Sequence, residues 1–274
     1  MSSATRKRLF GTSVFVNCPF DDGYQPQFRA LVFVIEYCGF GVRCALEADD
    51  SGETRAEKLL RIIAGSQYGI HDISRTESNA EGLPRFNMPY EFGLFVGFKA
   101  GVIAKQAKKV VLVLDREKYR YQQFLSDIAG QDIRAHANAP NILIREVRNW
   151  LQNQTTRQLH GAEHIAARYR VFGDEIPSLL ALLRKTPTDL ENFYDYHRLV
   201  CDWVSTELVA GLKVPRHHAV GDEQSHHRHQ VHQRPAQHRA GGRLGAVRGE
   251  PQAPQQEPHR HRQRPDQIHP SGRP

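Results

Sequence analysis

The chain has 274 residues, a formal net charge of +7 and a hydrophobic content of 39%, which leaves room for one sizeable domain and an appendage. One lysine and ten arginines against five acids fall in residues 213–274, so this segment carries +6 of the net charge. The basic character therefore belongs to the C-terminal segment. It gives no reason to expect specific nucleic-acid binding by the rest of the chain.

The four cysteines have no CxxC spacing, so the sequence predicts neither a disulfide framework nor a zinc site. No apolar h-region follows the basic N-terminus, and no run is long enough to span a membrane. We therefore expect a cytoplasmic protein with reduced thiols, no metal and no membrane partner.

Strand and helix patterns alternate about five times over the first 150 residues. Such alternation predicts an α/β domain, here residues 10–155, with a doubly wound parallel sheet of about five strands. The predicted strands are 13–17, 42–46, 68–73, 109–115 and 132–136. The predicted helices are 27–38, 53–64, 87–99, 121–129 and 141–152.

Two further segments follow this domain. Residues 156–206 have helical spacing over 162–172, 176–184 and 189–205, and predict a helical appendage. Residues 207–274 hold ten of the fifteen histidines, lack aromatic residues and show no periodicity, so we expect a disordered tail. Two interpretations of the tail stay open: a frameshift product, or a metal- or nucleic-acid-binding arm.

Several motifs of enzyme classes are missing. The sequence contains no GxGxxG after the first strand, no GxxxxGK[ST], no GxSxG and no HExxH. The dehydrogenase, P-loop ATPase, serine hydrolase and metalloprotease readings therefore lose support. What remains is a set of acids, an asparagine and aromatic residues at the ends of the predicted strands, where doubly wound folds bind ligands.

Glu91 is the strongest candidate among these residues. It is the single acid of a helix that is apolar nearly all round and is expected to be mostly buried, with Glu91 in its first turn. One interpretation is a carboxylate stabilised by the helix dipole. The other is a carboxylate that stabilises positive charge on a ribose carbon while an N-glycosidic bond breaks.

Other polar residues follow the strands, each with two open interpretations. Asp72 is either a ribose-hydroxyl acceptor or the polar end of a strand. Asn17 and Asp21 either hold a sugar or base or form an Asx-turn. Arg43 either pairs with Glu47 or contacts a phosphate.

The order of these residues resembles the TIR-like and nucleoside 2-deoxyribosyltransferase-like superfamily over about residues 10–152. Bacterial TIR-like nucleotide-binding domains carry Asn-Val-x-[Phe/Tyr]-Glu-Leu-Gly at the start of the helix after the third strand. Residues 87–93, NMPYEFG, are similar to that motif. Residues 62–74 are similar to the helix–strand passage that precedes it, and residues 49–52 fall where TIR domains have their BB loop.

The resemblance implies a flavodoxin-like fold and a catalytic carboxylate at Glu91, supported by Asn17, Asp72, Ser74 and Asn87. It implies cleavage of NAD, as substrate rather than cofactor, or of a related nucleotide, in bacterial anti-phage defence or signalling. It also implies a homo-oligomer, formed through the α/β domain or the helical appendage. Two alternatives remain: a nucleoside deoxyribosyltransferase, and a non-catalytic module that binds a nucleotide or pairs with another TIR-like domain.

Overall fold

The computed structural model describes residues 9–47, 50–76 and 85–213, with side chains through 209. Its strands are β1 (Ser13–Asn17), β2 (Gly41–Arg43), β3 (Tyr68–Asp72), β4 (Val110–Asp115) and β5 (Arg134–Ala135). Its helices are α1 (Gln25–Tyr37), α2 (Arg55–Ala64), α3 (Asn87–Ala100), α4 (Pro140–Gln152), α5 (Ala162–Leu183) and α6 (Phe193–Lys213).

The five strands form one parallel sheet in the order β2-β1-β3-β4-β5. This is the flavodoxin-like order of a doubly wound fold, in which the chain leaves β1 toward β2 and later crosses to β3 on the other side. The predicted fold class is confirmed. In folds of this order, the crevice that binds ligands lies outside the carboxyl ends of the two strands at the switch, here β1 and β3.

The middle of the sheet is buried on both faces. Val14 and Val16 pack into the cluster that contains α1 and α4, whereas Phe15 packs against Leu59 of α2 and Phe95 of α3. Every residue of β1 and β3 is buried, which explains why both strands read as continuous apolar runs.

The helical appendage packs directly on the α/β domain. Phe33 of α1, Phe172 of α5 and Trp203 of α6 contact one another with ring centroids 5.4 to 5.7 Å apart. The two helices predicted over 162–172 and 176–184 are one helix, α5, which contains Pro177 and ends at Leu183. The appendage therefore extends the core of the α/β domain on the side of α1.

Several element predictions need correction. Residues 121–129 form two short 3-10 turns rather than a helix, and β2 ends at Arg43, where a 3-10 turn takes over at 45–47. Residues 207–213 of the predicted tail are helical, as the end of α6, so the expected disorder is wrong for them; the rest of the predicted tail lies outside the described residues. None of the helices in the described ranges is both long and apolar enough to cross a membrane.

The expectation that α3 is mostly buried is wrong for one of its sides. Met88, Phe92 and Phe95 face the core, but Tyr90 is 61% exposed and Val96 37% exposed. The reason is that α3 belongs to an outer layer and contacts the sheet and α2 on its inner side. Hydrophobicity all round a helix cannot distinguish these two sides.

Candidate active site

The candidate site lies at the carboxyl edge of the sheet, where β1 and β3 end next to the start of α3. Asn17 is the last residue of β1 and Asp72 is the last residue of β3. Glu91 is the fifth residue of α3, so it lies in the second turn and not in the first as the sequence suggested. The helix dipole acts mainly within the first turn and explains a carboxylate here less well.

Asn17 ties the end of β1 to the first turn of α3. Its side-chain Nδ2 donates to the Met88 carbonyl at 2.8 Å and lies 3.0 Å from Nδ1 of His71. Asn17 is 3% exposed, so both contacts are shielded from water. The side chain therefore fixes α3 one turn before Glu91.

The protonation state of the His71 imidazole follows from its surroundings. The ring is fully buried against Phe92 and Phe95, and burial, helped by nearby Lys109, lowers the pKa of His71 to about 3. The imidazole is neutral near pH 7, so its Nδ1 accepts the hydrogen bond from Asn17 while the ring hydrogen resides on Nε2. This supports the geometry that Asn17 imposes on α3.

Glu91 is a nearly buried carboxylate with an arginine beside it. It is 5% exposed, and its Oε1 lies 3.5 Å from Nη2 of Arg55. Arg55 is the first residue of α2, which begins there because Thr54 is its N-cap and forms a capping box with Glu57 of the first turn. Burial raises the pKa of Glu91, and the positive charge of Arg55 opposes that rise.

Asp72 is the centre of a buried hydrogen-bonded group. It has no exposed surface; it accepts hydrogen bonds from the Tyr24 hydroxyl and from the Ser74 backbone N–H, the latter at 2.8 Å. Nε2 of His136 lies 2.9 Å from Oδ2 of Asp72, and Nδ1 of His136 accepts the Asn138 N–H, so Nε2 is the ring nitrogen that carries a hydrogen at this close polar contact.

This arrangement changes the interpretation of Asp72. Burial alone would raise the pKa of the Asp72 carboxyl, but the contacts with His136, Ser74 and Tyr24 together hold it below its ordinary value. The buried carboxylate is ionised and its oxygens are occupied. We therefore assign Asp72 to holding the ends of β3 and β5 with the turn after β1, rather than to contact with a ribose.

Asp21 forms ion pairs with two arginines at the mouth of the crevice. Its carboxylate lies 2.8 Å from Nη1 of Arg85 and 3.4 Å from Nη2 of Arg75. Both arginine side chains are about half exposed, at 51% and 40%. A Cβ on Gly23 would lie 2.4 Å from Arg75 Nη2, so glycine leaves the room that this approach requires.

The remaining predicted residues have different positions. Arg43 donates to both carboxylate oxygens of Glu47 at 2.7 Å, which is the first of its two alternatives, and we no longer assign it to substrate. Ser74 is buried at the end of the Asp72 group, and its backbone rather than its hydroxyl provides the hydrogen bond. Asn87 is the exposed first residue of α3.

Sequence reasoning missed Cys18, Arg55, Arg75, Arg85 and His136. Cys18 is buried among the acids: burial raises the pKa of its thiol first, and nearby carboxylates raise it further. Arg75 and Arg85 belong to the loop after β3, and this position at the carboxyl edge was the available signal. Nothing in the local sequence linked Arg55 or His136 to the site.

The fold and the site define a flavodoxin-like doubly wound α/β protein with a buried carboxylate at its topological switch point. Comparison of the chain with protein-family models, with curated proteins and with solved structures gave no match. Function must therefore be argued from the site itself.

Proposed function

We propose that the protein is a TIR-like nucleotide N-glycosidase that cleaves the nicotinamide–ribose bond of NAD or of a related nucleotide. The observation that carries the proposal is Glu91: a carboxylate 5% exposed, fixed on α3 at the switch-point crevice, with an arginine at 3.5 Å. The residues 87–93 that resemble the TIR-like motif are the residues that build this part of the site.

Glu91 would act by electrostatic stabilisation. Departure of nicotinamide builds positive charge on the anomeric carbon of ribose, and water then completes the products, nicotinamide and ADP-ribose, with release of a proton. A carboxylate held in a water-poor site stabilises that charge without reorganising. One such group contributes roughly 3 kcal/mol, a rate factor of about a hundred or more.

Two buried residues fix the position of Glu91 for this role. Asn17 holds the Met88 carbonyl one turn before Glu91, and neutral His71 holds Asn17. Since transition-state stabilisation depends on distance and direction, the fixed start of α3 favours a catalytic over an incidental carboxylate.

The presence of Arg75 and Arg85 favours a nucleotide over a nucleoside as the substrate. Two guanidinium groups share the single carboxylate of Asp21, which leaves one net positive charge at the mouth of the crevice. Arginine binds phosphate oxygens through paired N–H groups, and both side chains are exposed enough to turn toward a ligand. A nucleoside deoxyribosyltransferase would have no use for them, because its substrate lacks phosphate.

The test is incubation of the full chain with NAD at high protein concentration, followed by chromatography of the products. We expect equal amounts of nicotinamide and ADP-ribose. A parallel incubation with a deoxyribonucleoside and a second free base distinguishes the transferase, which would exchange the bases. Tight NAD binding with no product at any concentration would support the non-catalytic module instead.

Self-association is part of the proposal, in keeping with a role in bacterial defence or signalling. Exposed apolar side chains support it on both candidate surfaces: Tyr90 and Val96 on α3, and Leu182 and Leu183 on α5, which are 80% and 52% exposed. Sedimentation of the full chain at rising concentration tests it, and a monomer mass at every concentration would contradict it.

A further inference from the structure

Three side chains of different chemistry meet between α1 and α6, away from the candidate active site. Oε1 of Glu36 lies 2.8 Å from Nε2 of His197, and Sγ of Cys201 lies 3.3 Å from the same nitrogen. The three donor atoms lie within 4.8 Å of one another and are partly shielded from solvent. Within the described ranges this is the one group of three or more such donors that close together.

We propose that Glu36, His197 and Cys201 bind a divalent cation of the Zn²⁺ type. A carboxylate oxygen, an imidazole nitrogen and a thiolate form a mixed donor set that suits this borderline-soft ion better than Mg²⁺ or Ca²⁺, which take oxygen ligands. Three protein ligands leave a fourth tetrahedral position for water.

The separations in the cluster are close to those that a bound ion requires. With the usual bond lengths to Zn²⁺, tetrahedral ligands lie about 3.3 Å apart for oxygen and nitrogen, and about 3.6 Å apart for nitrogen and sulfur. The observed 2.8 and 3.3 Å are shorter by about half an ångström and about a third of an ångström. Binding would therefore require the donor atoms of Glu36 and Cys201 to move away from Nε2 of His197 by these amounts.

The neighbouring structure already orients two of the ligands. His197 and Cys201 are four residues apart on α6, so they project from the same face of that helix. Oε1 of Glu36 also accepts the Val42 N–H at 2.9 Å, and the His197 ring stacks on Phe193 with centroids 5.3 Å apart. Such supporting contacts fix ligand direction in metal sites.

Binding would replace the two contacts of His197 Nε2 with Glu36 and Cys201 by three metal bonds. The thiol proton of Cys201 would pass to solvent, and the imidazole hydrogen of His197 would lie on Nδ1, so that Nε2 binds the ion. No oxidation step is involved. Because Glu36 lies in the last turn of α1 and the other ligands lie on α6, the ion would fasten the appendage to the α/β domain. Spacing along the sequence could not indicate this site, since Glu36 and His197 are 161 positions apart.

The test is a titration of the full chain with Co²⁺, monitored by absorption. Thiolate-to-cobalt charge transfer produces a near-ultraviolet band that imidazole does not, so the histidines of residues 207–274 compete for the ion but add no intensity to the band. We expect the band to reach a plateau in excess Co²⁺, with an intensity of one thiolate–cobalt bond per chain, and to disappear in excess Zn²⁺.

Variants separate the proposal from a plain hydrogen-bonded cluster. Cys201→Ala should abolish the band, and the matched control Cys38→Ala, which replaces another shielded cysteine, should leave it unchanged. Glu36→Gln keeps a hydrogen-bonding side chain and should weaken Co²⁺ affinity at least tenfold, which keeps the test decisive if Cys201→Ala fails to fold. A folded wild-type chain without the band, or a band that survives in Cys201→Ala, would overturn the proposal.

Discussion

Removal of the Tyr24 hydroxyl tests the assignment of Asp72 as a structural carboxylate. Tyr24 is 1% exposed and its hydroxyl donates to Oδ2 of Asp72, which has no exposed surface. Burial and the Asp72 charge raise the pKa of the Tyr24 hydroxyl, so it remains a donor. Tyr24→Phe keeps the ring and its edge contact with His136, and removes one hydrogen bond to a buried charge.

A hydrogen bond to a charged group contributes about 1.5 to 3 kcal/mol to stability. His136 and the Ser74 N–H still contact Asp72 in the variant, so we expect a loss of about 2 kcal/mol. For a chain of this size that corresponds to a fall in Tm of about 4 to 8 °C.

The loss should depend on pH with a definite sign. The folded-state pKa of Asp72 lies below its ordinary value, so its contribution is complete above about pH 4 and disappears as pH falls through the folded-state pKa. Tyr24→Phe raises that folded pKa, so the difference from wild type should be largest near pH 7 and shrink in acid.

Urea unfolding of both chains at several pH values measures the difference. The matched control is Tyr119→Phe, which removes the hydroxyl of a tyrosine that is 68% exposed and should change stability by less than about 0.5 kcal/mol. A Tyr24→Phe chain as stable as wild type at pH 7 would refute the structural role of this hydrogen bond.

Three further predictions concern charge in the site. The folded-state pKa of His71 is about 3 against an ordinary 6.5, so its contribution is complete above pH 6.5 and falls as pH drops. Lowering the pH from 7 to 5 should therefore decrease the free energy of unfolding by about 2 kcal/mol. Calorimetry should find a smaller decrease in His71→Asn. Arg75→Ala combined with Arg85→Ala should raise KM for NAD at least tenfold and leave the Tm within about 2 °C; an unchanged KM would remove the phosphate assignment. Arg55→Gln takes away a positive charge that lowers the pKa of Glu91, so the acid limb of the rate profile should move to higher pH, and a stationary limb would contradict that contact.

The fold was predictable because its signals are local. Apolar runs such as 13–17 and 68–73 alternate with helical spacing, and this pattern determines a parallel sheet with helices on both sides. The joining of residues 162–183 into one helix was not predictable, since a proline such as Pro177 normally interrupts a helix.

The site was predictable only where its residues belong to strand ends or to a motif. Asn17, Asp72 and Glu91 meet that condition and lie at one edge of the sheet. Tyr24 and His136, which contact Asp72, do not meet that condition. They are 48 and 64 positions away from it along the chain, and only the folded chain brings them together. The structural role of Asp72 follows from its burial and from the contacts of its oxygens, and no local sequence pattern indicates either.

The most direct test of the account is the rate of nicotinamide release by Glu91→Gln, measured over a range of NAD concentrations beside wild type. The substitution keeps the shape and removes the charge, so kcat should fall by about a hundredfold or more, or roughly 3 kcal/mol. KM should change little, because the ribose carries the positive charge only in the transition state. Glu117→Gln, at an exposed carboxylate, is the matched control and should be fully active. A folded Glu91→Gln chain that releases nicotinamide at the wild-type kcat would contradict the catalytic assignment of Glu91.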